Sequence, residues 1–377
     1  MNVLFTCGGT GGHINPAIAV ANIWKERHPQ DRILFVGVKG HMEEQLVPKA
    51  GFALKTIPST GMARGFSWGA LCHNVKAVGR VLGAVGACKK ILKEFKPDVI
   101  LGTGGYASFP SLMAGTLLKI PTCVHEANAM PGLTTRLVAD RVDQVLVCFE
   151  ESAAHYRHPE KVRAVGMPVR REFVFTRREE ARKALGLGEE PLVVSAFGSQ
   201  GARVMNEAVL EMLALEKEAD FPFHHIHAAG SYGWEWMPER VTALGVDVKT
   251  TRQLDLREFI YDMPLCLAAA DVVIGRAGSS TCNEIAAAGI PCILIPSPNV
   301  TDNHQEKNAC ALESKGGAVV LLEKDCTGKA LYEQTVRLLA DSQGRAHMRK
   351  ALHAMAVPDS AERICDIMEQ LARGKKE

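Results

Sequence analysis

Asn2-Val3-Leu4-Phe5-Thr6-Cys7 passes directly into Gly8-Gly9-Thr10-Gly11-Gly12-His13. An apolar run of strand length, a glycine turn and then helical spacing from Ala17 to Arg27 form the opening unit of a Rossmann-like sheet. The pattern recurs where Leu192 to Phe197 runs into Gly198-Ser199-Gln200-Gly201, followed by the helical stretch Ala202 to Glu218. Two such openings in one chain predict two sheets of this kind, one in each half.

Outward from these anchors, short apolar runs alternate with longer helical patterns. Ile33 to Val38, Asp98 to Leu101, Thr122 to His125 and Gln144 to Cys148 read as further strands of the first half, with a long helix over Leu71 to Phe95. His224 to Ala228, Asp271 to Ile274, Cys292 to Ile295 and Ala318 to Leu321 continue the second. Strands alternating with helices predict an α/β protein whose parallel sheets are covered on both faces. The 377 residues exceed one ordinary domain of roughly 100–200. The expected division is 1–163 and 164–356, because Gly166-Met167-Pro168 breaks the rhythm. The helical segment within 357–377, apolar at Ile364, Ile367, Met368 and Leu371, is expected to return to the first domain.

Composition narrows the class. A 47% apolar and 23% charged chain buries an ordinary core, and 44 basic against 42 acidic residues leave only +2. No whole-molecule field points to nucleic acid as a partner. The 11 cysteines are never closer than Cys282 and Cys292, which excludes C-x-x-C redox or zinc pairs and favours small core residues in a reducing compartment. Neither a signal peptide nor a membrane-spanning stretch is apparent. The expectation is a cytosolic or membrane-surface protein.

The glycine loops are the candidate chemistry. Glycines admit close backbone approach, and a helix start offers unpaired N–H groups and the positive dipole end, so Gly8 to Gly12 suits an anion or polar ligand. The spacing is not G-x-G-x-x-G, and Ile33 to Val38 leads to Gly37 and Lys39 rather than to an acidic ribose ligand, which counts against a dinucleotide. His13 is either a neutral general base or a capping histidine. Gly102-Thr103-Gly104-Gly105-Tyr106 and His125-Glu126-Ala127-Asn128 end two further strands and converge on the same crevice. Glu126 reads first as a turn former and second as an acid or base. In the second half, Ser199 and its neighbours, and Arg276-Ala277-Gly278-Ser279-Ser280-Thr281, offer amides and hydroxyls to phosphate. Glu284 is either a ribose ligand or a carboxylate serving the helix dipole. Without paired aspartates for a divalent ion, metal-independent chemistry is expected.

One region is locally basic. Arg64, Lys76, Arg80, Lys89, Lys90, Lys93 and Lys96 accompany Phe66, Trp68, Leu71, Val75, Val78, Leu82 and Val85. Such a helix is either ordinarily amphipathic or seated on an anionic membrane surface, and Trp68 favours the surface.

Taken in order, Gly8 to His13 with Pro16-Ala17, Gly104-Gly105-Tyr106, His125-Glu126-x-Asn128 with Pro131-Gly132, Gly198 to Ala202, and Gly278-Ser279-Ser280-Thr281-x-x-Glu284 with Asp302-Asn303-x-Gln305 resemble the MurG family. These glycosyltransferases add N-acetylglucosamine to lipid I, making lipid II for peptidoglycan. The resemblance implies the GT-B fold, two Rossmann-like domains whose parallel sheets face a deep interdomain cleft. It implies a donor, UDP-N-acetylglucosamine, held by Ile260 at uracil, Glu284 at ribose, and Ser199 with Ser279, Ser280 and Thr281 at the diphosphate. Asn128 and Gln305 would hold the sugar, Thr10, Gly11 and Gly12 would face the donor, and Arg170 matches a nucleotide-binding arginine. Gly104, Gly105, Tyr106 and Glu126 are the acceptor or phosphate-loop candidates. His13 would take the proton from the 4-hydroxyl of N-acetylmuramic acid in an inverting transfer, with no cofactor or metal.

The implied location is peripheral, on the cytoplasmic side of the bacterial membrane. There 64–96 would meet the anionic leaflet, with lipid I and cell-wall synthesis proteins as partners. Ala127, Met167 and Thr103 depart from the family pattern, and Ala127 removes one amide near the acceptor. The competing readings are a UDP-N-acetylglucosamine 2-epimerase, another GT-B glycolipid transferase and a GTP-binding module; a dehydrogenase ranks last.

Overall fold

The computed structural model describes residues 1–58, 68–105, 107–128, 130–300 and 303–374, with backbone alone over 68–79. The first sheet is built from β1 (Asn2–Thr6), β2 (Arg32–Val38), β3 (Ala53–Ile57), β4 (Val99–Gly102), β5 (Thr122–Glu126), β6 (Gln144–Val147) and β7 (Val162–Ala164). These strands are parallel in the order β3-β2-β1-β4-β5-β6-β7. The direction of winding reverses between β1 and β4, where Thr6 lies opposite Gly102. Two glycine loops therefore leave the sheet side by side at its carboxyl edge, where doubly wound sheets bind ligands.

The second sheet repeats the scheme with β8 (Leu192–Ala196), β9 (His224–Ala228), β10 (Leu254–Arg257), β11 (Val272–Gly275), β12 (Cys292–Leu294) and β13 (Val319–Val320). Its order is β10-β9-β8-β11-β12-β13, and Ala196 lies opposite Gly275 at the equivalent reversal. Both sheets are thus Rossmann-like. Strands β3, β7 and β10 escape the sequence reading because they are edge strands, partly exposed and without a continuous apolar run.

Burial on both faces of the first sheet explains its apolar strands. One face is covered by α1 (Gly11–Arg27), whose Ile14, Val20 and Trp24 are fully buried against Phe5, Phe35 and Leu101. The other is covered by Cys88 and Leu92 of a long helix, Trp68–Phe95, and by Leu112 of Ser108–Leu117. A short helix, α2 (Glu43–Lys49), follows β2.

The contact pattern divides the chain into one unit of Met1–Arg170 with Val357–Glu377 and another of Arg171–Ala356. The division falls after the expected residue 163 because β7 pairs with β6, and Val165 and Gly166 donate backbone bonds to Val147. The final helix, Ser360–Gly374, inserts Ile364, Cys365 and Met368, all fully buried, into the core around α1. Burying each of Ile364 and Met368 contributes about 1.5–3 kcal/mol toward holding the returning segment.

Among the described residues the cysteines are unpaired and mostly buried. Burial pushes the thiols of Cys282 and Cys326 up to about 12, so they behave as core side chains. Among the described residues no helix is long and apolar enough to cross a membrane.

Candidate active site

The first glycine loop folds over directly into α1. The helix begins at Gly11, with Thr10 as its extended N-cap, so Gly11, Gly12 and His13 form its opening turn rather than a loop ahead of it. The helical spacing alone runs from Ala17, after Pro16; two glycines let the turn form before the proline. The amides of Gly11 and Gly12 belong to the turn that has no intrahelical acceptors, and Thr10 is exposed beside them.

His13 is held by the neighbouring loop. Its Nδ1 lies 3.0 Å from the carbonyl oxygen of Thr103, and Thr103 Oγ1 donates to the His13 carbonyl at 2.6 Å. A carbonyl only accepts, so Nδ1 carries the hydrogen and the lone pair resides on Nε2. Gly104, at φ +99°, leaves the space for this ring, because a Cβ there would meet Nδ1 at 2.6 Å. Gly105 is equally constrained: a Cβ would collide with the carbonyl oxygen of Gly8. Ser108 Oγ closes the packing by donating to Thr6 and Gly104 carbonyls at 2.9 and 2.6 Å. Tyr106 lies outside the described residues.

Glu126 is buried at the end of β5 and its carboxylate is engaged four times. Oε1 accepts from Asn128 N at 3.0 Å and Asn128 Nδ2 at 3.1 Å; Oε2 accepts from Gly132 N at 2.9 Å and Thr135 Oγ1 at 2.6 Å. It therefore organises the 126–135 loop, the turn-forming role. Asn128 spends its amide N–H on Glu126, so Oδ1 is the atom able to accept from a hydroxyl.

His125 behind it is structural. Its Nε2 donates to Gly166 at 2.9 Å, and burial lowers its pKa. Arg170 is the half-buried last residue of the first unit. The basic region falls partly outside the described residues: Arg64 and Phe66 do so entirely, and the side chains of Trp68, Leu71, Val75, Lys76 and Val78 do as well.

In the second unit, Gly198, Ser199 and Gln200 are exposed after β8. Their loop is clasped to the β9 loop by Ser231 N to Ser199 O and Tyr232 N to Gln200 O, both 3.2 Å. Gly201 and Gly230 pack so closely that neither tolerates a Cβ. After β11, Gly278 caps the helix Ser279–Ala288, placing Ser279, Ser280 and Thr281 in its first turn, where helix amides suit a phosphate. Ser280 Oγ is buried without a hydrogen-bond partner. Glu284 lies partly buried in the second turn of this helix. Gln305, at the start of His304–Glu313, accepts from Ser297 N at 2.9 Å through Oε1, so its amide nitrogen is the donor it can offer. Ile260 is buried between exposed Phe259 and Tyr261. Asp302 lies outside the described residues.

The structure thus gathers Thr10 to His13, Gly104, Gly105 and the Glu126 to Asn128 turn at one sheet edge, and Ser199 and Ser279 to Thr281 beside the reversal in the other. Sequence reasoning missed two residues. Thr103 entered only as a departure from the family pattern, yet its carbonyl sets the His13 tautomer. Glu43, fully buried, accepts from Gly9 N at 3.2 Å and Val38 N at 2.7 Å. The available signal is an acidic residue shortly after β2, the region in which dinucleotide folds carry their ribose ligand.

Comparison with known proteins adds the lineage. Residues 3–147 match the glycosyltransferase family 28 N-terminal domain and 192–364 its C-terminal domain. A protein of Acetivibrio thermocellus, named UDP-N-acetylglucosamine--N-acetylmuramyl-(pentapeptide) pyrophosphoryl-undecaprenol N-acetylglucosamine transferase, is 39% identical over 100% of this chain and 99% of its own. One of the same name from Caldanaerobacter subterraneus is 40% identical over 98% of this chain and 100% of its own.

Among solved structures, MurG of Acinetobacter baumannii aligns with a TM-score of 0.73 at 24% identity, covering 98% of this chain and 99% of that one. A UDP-GlcNAc 2-epimerase from Neisseria meningitidis, bound to UDP-GlcNAc, aligns at 0.67 with 13% identity, covering 98% and 100%. At such identities the likeness is one of fold: the GT-B arrangement of two Rossmann-like domains. The two named transferases are 39–40% identical to this chain, the epimerase 13%.

Proposed function

The chain belongs to glycosyltransferase family 28, and from that premise we propose how its residues move N-acetylglucosamine from UDP-N-acetylglucosamine to the muramyl sugar of lipid I, giving lipid II. The activity is the one its full-length relatives are named for. The reading of the site rests above all on the His13 Nδ1 to Thr103 carbonyl bond of 3.0 Å, which leaves Nε2 with the lone pair a base needs.

In the transfer, the acceptor 4-hydroxyl oxygen attacks the anomeric carbon while its proton passes to His13 Nε2. The bond between that carbon and the β-phosphate oxygen breaks, and its electron pair leaves with UDP, inverting the centre. The negative charge is met by the first-turn amides of Ser279 to Thr281 and by the Gly198 to Ala202 loop, preorganised dipoles that need no rearrangement as charge develops. Glu284 accepts from the ribose hydroxyls, Ile260 presents backbone to uracil, and Arg170 binds the nucleotide. Asn128 Oδ1 and the Gln305 amide, one acceptor and one donor, grip the amino sugar, with Thr10, Gly11 and Gly12 facing it. Gly104, Gly105 and Tyr106 are assigned to the acceptor or to a phosphate.

The lipid tail requires the enzyme to work at a membrane surface. The basic and apolar 64–96 segment supports a peripheral seat on the anionic cytoplasmic leaflet, beside cell-wall synthesis proteins. The test is transfer from UDP-N-acetylglucosamine to a lipid I analogue. Release of UDP strictly dependent on the lipid supports the reading; sugar epimerisation or UDP release without acceptor defeats it.

A further inference from the structure

Glu43 sits in the first turn of α2 with no exposed surface, and its carboxylate accepts two backbone bonds, from Val38 N at 2.7 Å and Gly9 N at 3.2 Å. Burying a carboxylate is costly. The surroundings are nevertheless cut to this group. A Cβ on Gly37 would lie 2.5 Å from Glu43 Cγ, and one on Gly8 would lie 2.8 Å from Oε1.

The same loop then bears on the candidate base. The Gly8 carbonyl oxygen occupies the place a Gly105 Cβ would need, and the His13 ring occupies that of a Gly104 Cβ. Glu43, Gly8 with Gly9, Gly105 with Gly104, and His13 therefore form one contiguous stack of close contacts. Gly9, whose amide Glu43 holds, takes φ +89°. This left-handed conformation turns the chain from β1 into the opening of α1.

We infer that Glu43 is a positioning residue of the transfer: its carboxylate holds the first glycine loop and, through it, the His13 imidazole in register. The inference rests on the transferase reading. A purely structural Glu43 would change only the amount of folded protein, whereas a positioning residue changes the turnover of what is folded, because small misplacements of a reacting group are expensive.

The experiment uses the full chain with E43Q, which keeps the size but opposes one backbone N–H with another donor, and with G37A, which keeps the carboxylate but displaces it. Three readouts are taken: transfer kinetics per folded molecule, UDP affinity by calorimetry, and the ring ¹⁵N signals of His13 without substrate, assigned by their loss in H13Q. The expected result is a kcat lowered roughly 10–100-fold, UDP affinity within about twofold, and displaced His13 signals.

Parental kcat, or a lowered kcat with unmoved His13 signals, overturns the inference. Should E43Q fail to fold, G37A decides by the same readouts, and failure of both to fold overturns the inference in favour of a structural role. A parent chain that does not transfer defeats the transferase reading instead, and the His13 signals separate the two failures.

Discussion

The loops after β1 and β8 leave equivalent strands of two sheets with the same winding, yet they deliver different chemistry. The first feeds an imidazole into the opening turn of its helix and fixes the ring against the Thr103 carbonyl. The second leaves Gly198 and Ser199 exposed and clasped by backbone bonds to the β9 loop.

The second unit has a histidine cluster of its own, His225 and His227, but it is sealed inside. His225 Nδ1 meets Glu216 at 2.9 Å, and Ser195 Oγ bridges His225 and His227 at 2.7 and 2.6 Å, all without exposed surface. These are the residue types of a nucleophilic triad with no route for a substrate. Topology supplies equivalent places, and access together with hydrogen bonding decides which place can react.

The comparison can be broken most sharply at His13. H13A is expected to lower kcat about 10²–10⁴-fold while leaving UDP affinity nearly intact, since the nucleotide is assigned chiefly to the second unit and, in the first, to Arg170 rather than His13. An equal loss of UDP affinity, measured by calorimetry, would dissolve the division of labour. Next in size is Glu284: E284A is expected to raise the donor KM about tenfold, the worth of hydrogen bonds to a charged acceptor, with the acceptor KM unchanged. Unaltered donor kinetics would remove it from the site.

The smallest effect near neutrality comes from the sealed histidines. Burial first, and then His225 nearby, lower the His227 pKa from 6.5 to about 3. The unfolded chain therefore takes up a proton that the folded chain refuses between those values. Stability is complete above about pH 6.5 and falls below it by at most about 1.4 kcal/mol per pH unit for this one group, as far as about pH 3. H227N should flatten that decline in denaturation midpoints measured from pH 7 to 4. An unchanged slope would mean that other groups control it, among them His125, which burial also lowers.

Legibility followed physical type. Central strands buried on both faces announced themselves as apolar runs, and the glycine turns marked where loops leave them. The edge strands β3, β7 and β10 did not, because half-exposed short segments carry no distinctive period. Within the site, His13, Glu126 and Asn128 were legible as residue types at the ends of strands. That Glu126 is saturated by Asn128, Gly132 and Thr135 was not, since nothing in a linear pattern reports which donors reach a carboxylate.

By itself the sequence determined two Rossmann-like sheets, the location of the glycine loops and the family, because hydrophobic period and turn chemistry are local properties that the chain writes in order. Only the tertiary structure decided the tautomer of His13, the organising role of Glu126 and the placement of Glu43 beneath Gly9. Each depends on groups 34 to 90 residues apart or on several simultaneous donors, and such long-range hydrogen bonds are set by packing after the local elements have formed.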